Sequence, residues 1–212
     1  MIIVIDAAKG VETQTRKLMQ VCRMRKTPVI VFINKLDRPA HDPFDLLDEI
    51  EKELQIHVNP LSWPIGSGDT FKGVYNIYRG GLYLFNPGGQ TLPEGIEIQD
   101  LNSDELVRHI GERDAHTLCE NLELIQGVYP TLEQNDYLNA EVAPVFFGSA
   151  LNNFGIKELL DCFIELAPSP LPRETEERIV KADEDKFTGF VFKIHANMDP
   201  NPVSYTHLRA HE

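Results

Sequence analysis

Short runs of consecutive apolar residues alternate with amphipathic stretches along the chain. Ile2–Ile5 and Val29–Ile33 contain no polar residue, and Pro144–Phe147 repeats the pattern near the other end. Such runs, rich in β-branched residues, predict strands of a parallel sheet covered on both faces. Val29–Ile33 reads as a central strand and Ile2–Ile5 as a fully buried one. Between them, about Glu12 to Arg25, the spacing predicts a helix with Leu18, Val21, Cys22 and Met24 on its apolar side, closed by Thr27-Pro28. Asp42-Pro43 opens a second helix, with Asp as the cap and Pro at the first helical position. Phe44, Leu47, Glu51 and Leu54 follow one line along it, widened by Leu46 and Ile50. After Phe147, a helix from about Gly155 to Leu166 is predicted to face inward through Ile156, Leu159, Leu160 and Phe163.

The pattern changes near His57. From Val58 to about Gln99, glycines and aromatics (Trp63, Tyr75, Tyr78, Tyr83, Pro87-Gly88-Gly89) predict short antiparallel strands and turns. Asn102-Ser103 is expected to cap one long helix ending near Gly127, followed by a shorter helix from about Thr131 to Ala140. This stretch reads as an α+β insertion with its own small fold. Pro168, Pro170 and Pro172 make a stiff linker. A charged stretch, Glu174 to Lys186, leads to a predicted strand at Phe187–Ile194.

Composition narrows the classes. Among 212 residues, 42% are hydrophobic and 25% charged, as in an ordinary globular protein. No run of about 18 apolar residues is present, so no membrane span is expected, and Met1–Asp6 makes a poor secretory signal. The net charge of −13 argues against binding free nucleic acid, which needs Lys and Arg against phosphate. Cys22, Cys119 and Cys162 are scattered and predict neither a disulfide framework nor a zinc site. His109, Glu112 and His116 fall on one face of the predicted long helix without a fourth ligand, and a solvated face is the preferred reading.

The chemistry concentrates at two strand ends. Asn34-Lys35-Leu36-Asp37 follows the central strand, on the edge where open α/β sheets bind ligands. Guanine offers two adjacent donors, N1–H and the 2-amino group, and an ionised Asp37 can accept both. Asn34 can donate to the base and tie loops together, and Lys35 can lay its aliphatic stem over base or sugar. The alternative is a plain polar loop preceding a helix. Gly148-Ser149-Ala150-Leu151 follows another buried strand, and the Ala150 N–H is placed to donate to guanine O6. A phosphate cradle of the form Gly-x-x-x-x-Gly-Lys-Ser/Thr is absent from the sequence. Gly66–Gly73 imitates one, with Phe71 where the second glycine belongs, and reads as a turn. Asp6, ending the first strand, has the place of a catalytic carboxylate in a small-molecule α/β enzyme, and a structural or loop-capping role fits it at least as well.

Several segments together resemble the family of peptide-chain release factor 3: Asp6–Glu12 with Thr15–Met19, Asn34–Arg38, Trp63–Gly66, Phe71–Tyr75, Pro144–Leu151 and Glu184–Ile194. The likeness runs in order from residue 1 to about Pro200. Elongation factor G shares the overall plan, insertion included. The resemblance implies a translational GTPase, cytoplasmic, that works on the ribosome and promotes departure of codon-reading release factors. It implies a partial P-loop-type G domain, a parallel sheet with flanking helices, carrying an α+β insertion and followed by the first strand of a β-barrel domain. The boundaries expected are 1–56 and 142–167 for the G domain, 57–141 for the insertion, 168–185 for a linker, 186–200 for the barrel start and 201–212 for a foreign tail. Asn34, Lys35, Asp37, Ser149, Ala150 and Leu151 inherit contact with the base of GTP or GDP. The family's phosphate loop, switches, catalytic histidine and Mg2+ ligands have no counterpart in the sequence, so no catalytic residue is expected and the chain alone is expected not to hydrolyse GTP. An elongation-factor-G-like fragment and a nucleotide-independent interaction module are the competing readings.

Overall fold

The computed structural model describes residues 1–86, 95–98, 100, 101, 103–170, 172–189 and 191. Its backbone divides into two compact units, 1–167 and 168–212.

In the first unit the apolar runs become a parallel sheet. Strand β1 (Ile2–Asp6) leads through helix α1 (Thr13–Met24) to β2 (Ile30–Asn34), then through α2 (Pro43–Leu54) to β3 (His57–Pro60). Strand β8 (Val142–Phe147), reached after the insertion, enters between β2 and β3, giving the order β1-β2-β8-β3 with all pairs parallel. Because successive side chains of a strand point to opposite faces, each run feeds two cores. Val31, Ile33, Val145 and Phe147 join the core with α1 and α2. Ile30, Phe32 and Phe146 join another, under α6 (Ile156–Leu166) and Tyr137 of α5 (Gln134–Leu138).

Helix α2 follows its sequence signals. Pro43 takes the first helical position, the Asp42 carboxylate accepts from the Phe44 N–H at 2.9 Å, and Leu46, Leu47, Ile50 and Leu54 are buried. The other helices correct the expected faces. In α1 the buried residues are Met19 and Cys22, whereas Leu18, Val21 and Met24 are exposed. In α6 Glu158, Leu159, Cys162 and Leu166 are buried and Leu160 is exposed. Both helices carry more than one apolar stripe at helical spacing, and the sheet covers only one of them. Burial pushes the Glu158 carboxyl above its usual range and the Cys162 thiol up to about 12.

Strand β1, expected from the sequence to be fully buried, is not. Ile3 and Ile5 are inside, but Val4 is 56% exposed. Val4 stands opposite Phe32, on the α6 face, and among the described residues β1 pairs with β2 alone.

His57–Pro60, at the expected start of the insertion, pairs with β8 in the parallel sheet. Beyond it, β4 (Ser62–Ile65), β5 (Gly73–Asn76), β6 (Gly81–Leu84) and β7 (Ile96–Glu97) form an antiparallel sheet in chain order. Its core is continuous with that of the parallel sheet. Trp63, fully buried, lies 4.6 Å from the Phe44 ring and 5.5 Å from the Phe147 ring, centroid to centroid. The expected long helix is two helices, α3 (Asp104–Ile110) and α4 (Glu112–Val128), broken at Gly111. Gly111 adopts φ +86°, a conformation costly for any residue with a Cβ and incompatible with a continuous helix. His109 therefore sits on α3 and His116 on α4, where its Nδ1 lies 3.3 Å from Glu120. Asn102 and Pro87-Gly88-Gly89 lie outside the described residues.

The second unit carries a two-residue antiparallel pairing, β9 (Arg173–Glu174) with β10 (Ile179–Val180), inside the stretch read as linker and charged segment. Arg178 holds Glu184, with a second contact of 2.8 Å, and draws that carboxyl down to about 2. The strand expected at Phe187–Ile194 does not appear among its described residues. Phe187, Thr188, Gly189 and Val191 lie outside any strand, and Phe187 and Val191 are exposed. A strand needs a ladder partner for its N–H and C=O groups, and no described residue provides one there. Phe190, residues 192–200 and the expected tail lie outside the described residues.

Candidate functional site

The register of the parallel sheet brings three loops to one edge. Asp6 pairs with Asn34, and Ile33 with Phe147, so the segments following β1, β2 and β8 all leave from the carboxyl ends of neighbouring strands. That edge is where open α/β sheets hold their ligands.

Asn34 is the tie between two of the loops. Its Oδ1 accepts from the Lys35 N–H at 2.8 Å and from the Ala150 N–H at 2.8 Å, across 116 residues of sequence. Two backbone bonds extend the same seam. The Gly148 N–H donates to Ile33 O at 3.0 Å, and the Leu36 N–H donates to Gly148 O at 3.2 Å. Asp37 is the next residue, so its loop and the Ser149 loop share one region of space. The Ala150 N–H, read from sequence as a donor to a base, is here taken up by Asn34.

Lys35 adopts φ +74°, and its Nζ lies 2.6 Å from Asp6 Oδ2. The other oxygen of Asp6 accepts from the Ala8 N–H at 2.9 Å. The Lys35 bond, followed by the Ala8 N–H and the charge of Lys9, holds the Asp6 carboxyl below its ordinary range despite the opposing effect of burial. Asp6 thus caps its loop, as read from sequence, and in addition fixes the Lys35 side chain. Nothing in the one-dimensional pattern linked Asp6 to Lys35, although their positions at matching strand ends carry that link once the register is known.

Asp37 has a different environment. Its side chain is 16% exposed, its Oδ2 is 4.0 Å from Arg38 Nε, and its Oδ1 is buried without a hydrogen-bond partner among the described residues. A buried polar atom without a partner costs about 1–3 kcal/mol. A ligand edge with two adjacent donors would satisfy this carboxylate, and the guanine edge has that form. The carboxylate oxygens of Asp37 supply the acceptor chemistry that such an edge needs.

Ser149 is fully buried and serves its own turn. Its N–H donates to Phe154 O at 3.0 Å, its carbonyl accepts from Phe154 N at 2.9 Å, and its Oγ accepts from Asn152 Nδ2 at 2.8 Å. Leu151, by contrast, is 81% exposed, an apolar surface beside the polar seam. Among the described residues, no group of three or more His, Cys, Asp or Glu side chains is arranged to hold a metal ion, and no helix is long and apolar enough to cross a membrane.

Residues 1–169 match the family model described as the elongation factor Tu GTP binding domain.

Proposed function

We propose, from the premise that this chain belongs to the elongation factor Tu GTP-binding domain family, that Asp37 reads the guanine of GTP or GDP at the edge formed by β2 and β8. The observation that carries this reading is the buried, unpartnered Oδ1 of Asp37, next to a loop tied to Ser149–Leu151 through Asn34. Each charge-assisted bond from the guanine N1–H or 2-amino group contributes about 1.5–3 kcal/mol. Lys35, held by Asp6, offers its aliphatic stem to the base or ribose, and exposed Leu151 offers apolar surface to the base plane. Ser149 shapes the loop, and Ala150 contributes through Asn34. The test is competition binding to the whole chain by saturation-transfer NMR. Guanine nucleotides displace one another and adenine nucleotides do not, whereas equal displacement by both overturns the assignment.

The biological setting is read from the same membership and from the chain's resemblance to release factor 3. It is a translational GTPase sequence that works on the ribosome, in the cytoplasm, to recycle codon-reading release factors. Support for the termination role comes from the sequence runs Ala8–Glu12 and Lys186–Ile194, which favour release factor 3 over elongation factor G. The reading is checked on ribosomes after peptide release, carrying a labelled codon-reading release factor. An altered departure rate on adding the chain supports it. An effect on translocation alone assigns the chain to the elongation-factor-G-like role instead.

A further inference from the structure

The glycine-containing turn at Gly66–Gly73 imitates a phosphate loop in sequence and is left without a task by the guanine site. Its position gives it one. The Gly68 N–H donates to Leu36 O at 2.8 Å, the carbonyl of the peptide bond that enters Asp37. On the opposite side of the same residue, the Leu36 N–H donates to Gly148 O at 3.2 Å. Leu36 is thus held between the last parallel strand and the insertion. Gly68 adopts φ +57°, and a Cβ there would lie 3.1 Å from Pro39 N and 3.3 Å from Arg38 C. Glycine lets the turn approach the backbone that follows Asp37 without strain or displacement.

The turn is itself rigid. Thr70 Oγ1 donates to Ser67 O at 2.9 Å and accepts from Ser67 N at 3.3 Å, and the Phe71 N–H closes onto Gly68 O at 3.1 Å. The next residue reaches the second loop. The Phe71 ring meets the Phe154 ring edge-on at 5.6 Å, and Phe154 is the residue whose backbone closes the Ser149 turn.

We propose that Gly68–Phe71 of the insertion is a positioning element for guanine recognition, bracing the Asp37 loop through Gly68 and the Ser149 loop through Phe71. The proposal rests on the guanine reading above. It makes base discrimination depend on a segment of the insertion some thirty residues beyond Asp37.

The test compares the whole chain with Gly68→Ala and with the milder Thr70→Val, using GDP and IDP as probes, since inosine lacks the 2-amino group. A placed Asp37 gives the unsubstituted chain a GDP-over-IDP preference of about tenfold or more. Gly68→Ala is expected to lower that ratio about fivefold and Thr70→Val about twofold, on the scale of one weakened charge-assisted bond. The Asp37 and Arg38 amide resonances are expected to shift in both variants, while those of Val31 and Ile33 stay in place. Equal weakening of GDP and IDP, as a general loss of stability would give, overturns the proposal, as do unmoved Asp37 and Arg38 amides. Absence of any GDP preference in the unsubstituted chain overturns the guanine reading first and this proposal with it. That outcome is separate from a preference that survives Gly68→Ala.

Discussion

β1 and β2 are neighbouring five-residue strands of almost unbroken apolar residues, yet Ile30–Ile33 of β2 are at most 1% exposed while Val4 of β1 is 56% exposed. The difference comes from their surroundings. β2 pairs on both sides and lies under helices on both faces. Among the described residues β1 pairs only with β2; it is well covered on the α1–α2 face, while on the α6 face Ile2 is partly buried and Val4 is exposed. The candidate site straddles the two, with Asn34 closing β2 and Asp6 closing β1. The Asn34–Asp37 loop thus grows from a strand buried along almost its whole length, and the carboxylate that holds Lys35 grows from a partly exposed one.

Substitutions on the two strands sharpen this contrast. Phe32→Ala removes a fully buried ring from the core under α6 and is expected to destabilise the first unit by about 3–5 kcal/mol in urea unfolding. A loss under 1 kcal/mol would break the claim that β2 anchors the sheet. Asp6→Asn is expected to cost less, about 0.5–1 kcal/mol near neutral pH, because the Lys35 head remains partly in water. Its sharper signature is in pH. A carboxyl held below its ordinary range stabilises the fold above that range and loses the contribution as pH falls through its lowered value. The unsubstituted chain should lose more stability on acidification below about pH 4 than Asp6→Asn does, and parallel pH profiles would contradict the Lys35 bond. Val4→Ala, opposite Phe32 on the same face, should change stability by no more than about 0.5 kcal/mol. A cost comparable to that of Phe32→Ala would show that β1 is covered in solution.

Much of the sheet was legible because consecutive β-branched residues between turn signals have few other uses. The start of α2 was legible because Asp42 and Pro43 each have a distinct reason to be there. The Asn34–Asp37 loop was legible from its residue types and its place after a buried strand. The apolar faces of α1 and α6 were not, because Leu18, Val21 and Leu160 satisfy helical spacing as well as Met19 or Cys162 does, and only tertiary cover selects between stripes. The break at Gly111 was hidden in a sequence otherwise suited to one continuous helix. Within the site, the pairing of Ala150 with Asn34, of Asp6 with Lys35 and of Gly68 with Leu36 depends on register and on chain crossings of 29 to 116 residues, beyond local pattern.

The most direct measurement is the base preference of the whole chain carrying Asp37→Asn, compared with the unsubstituted chain, using GDP and xanthosine diphosphate in competition NMR. Guanine presents a donor at position 2 and xanthine a carbonyl, which an Asn amide can pair with. The account predicts that preference moves from guanine towards xanthine by about tenfold or more, the scale of one charge-assisted bond exchanged for a mismatch. An unchanged ratio of the two nucleotides would contradict it.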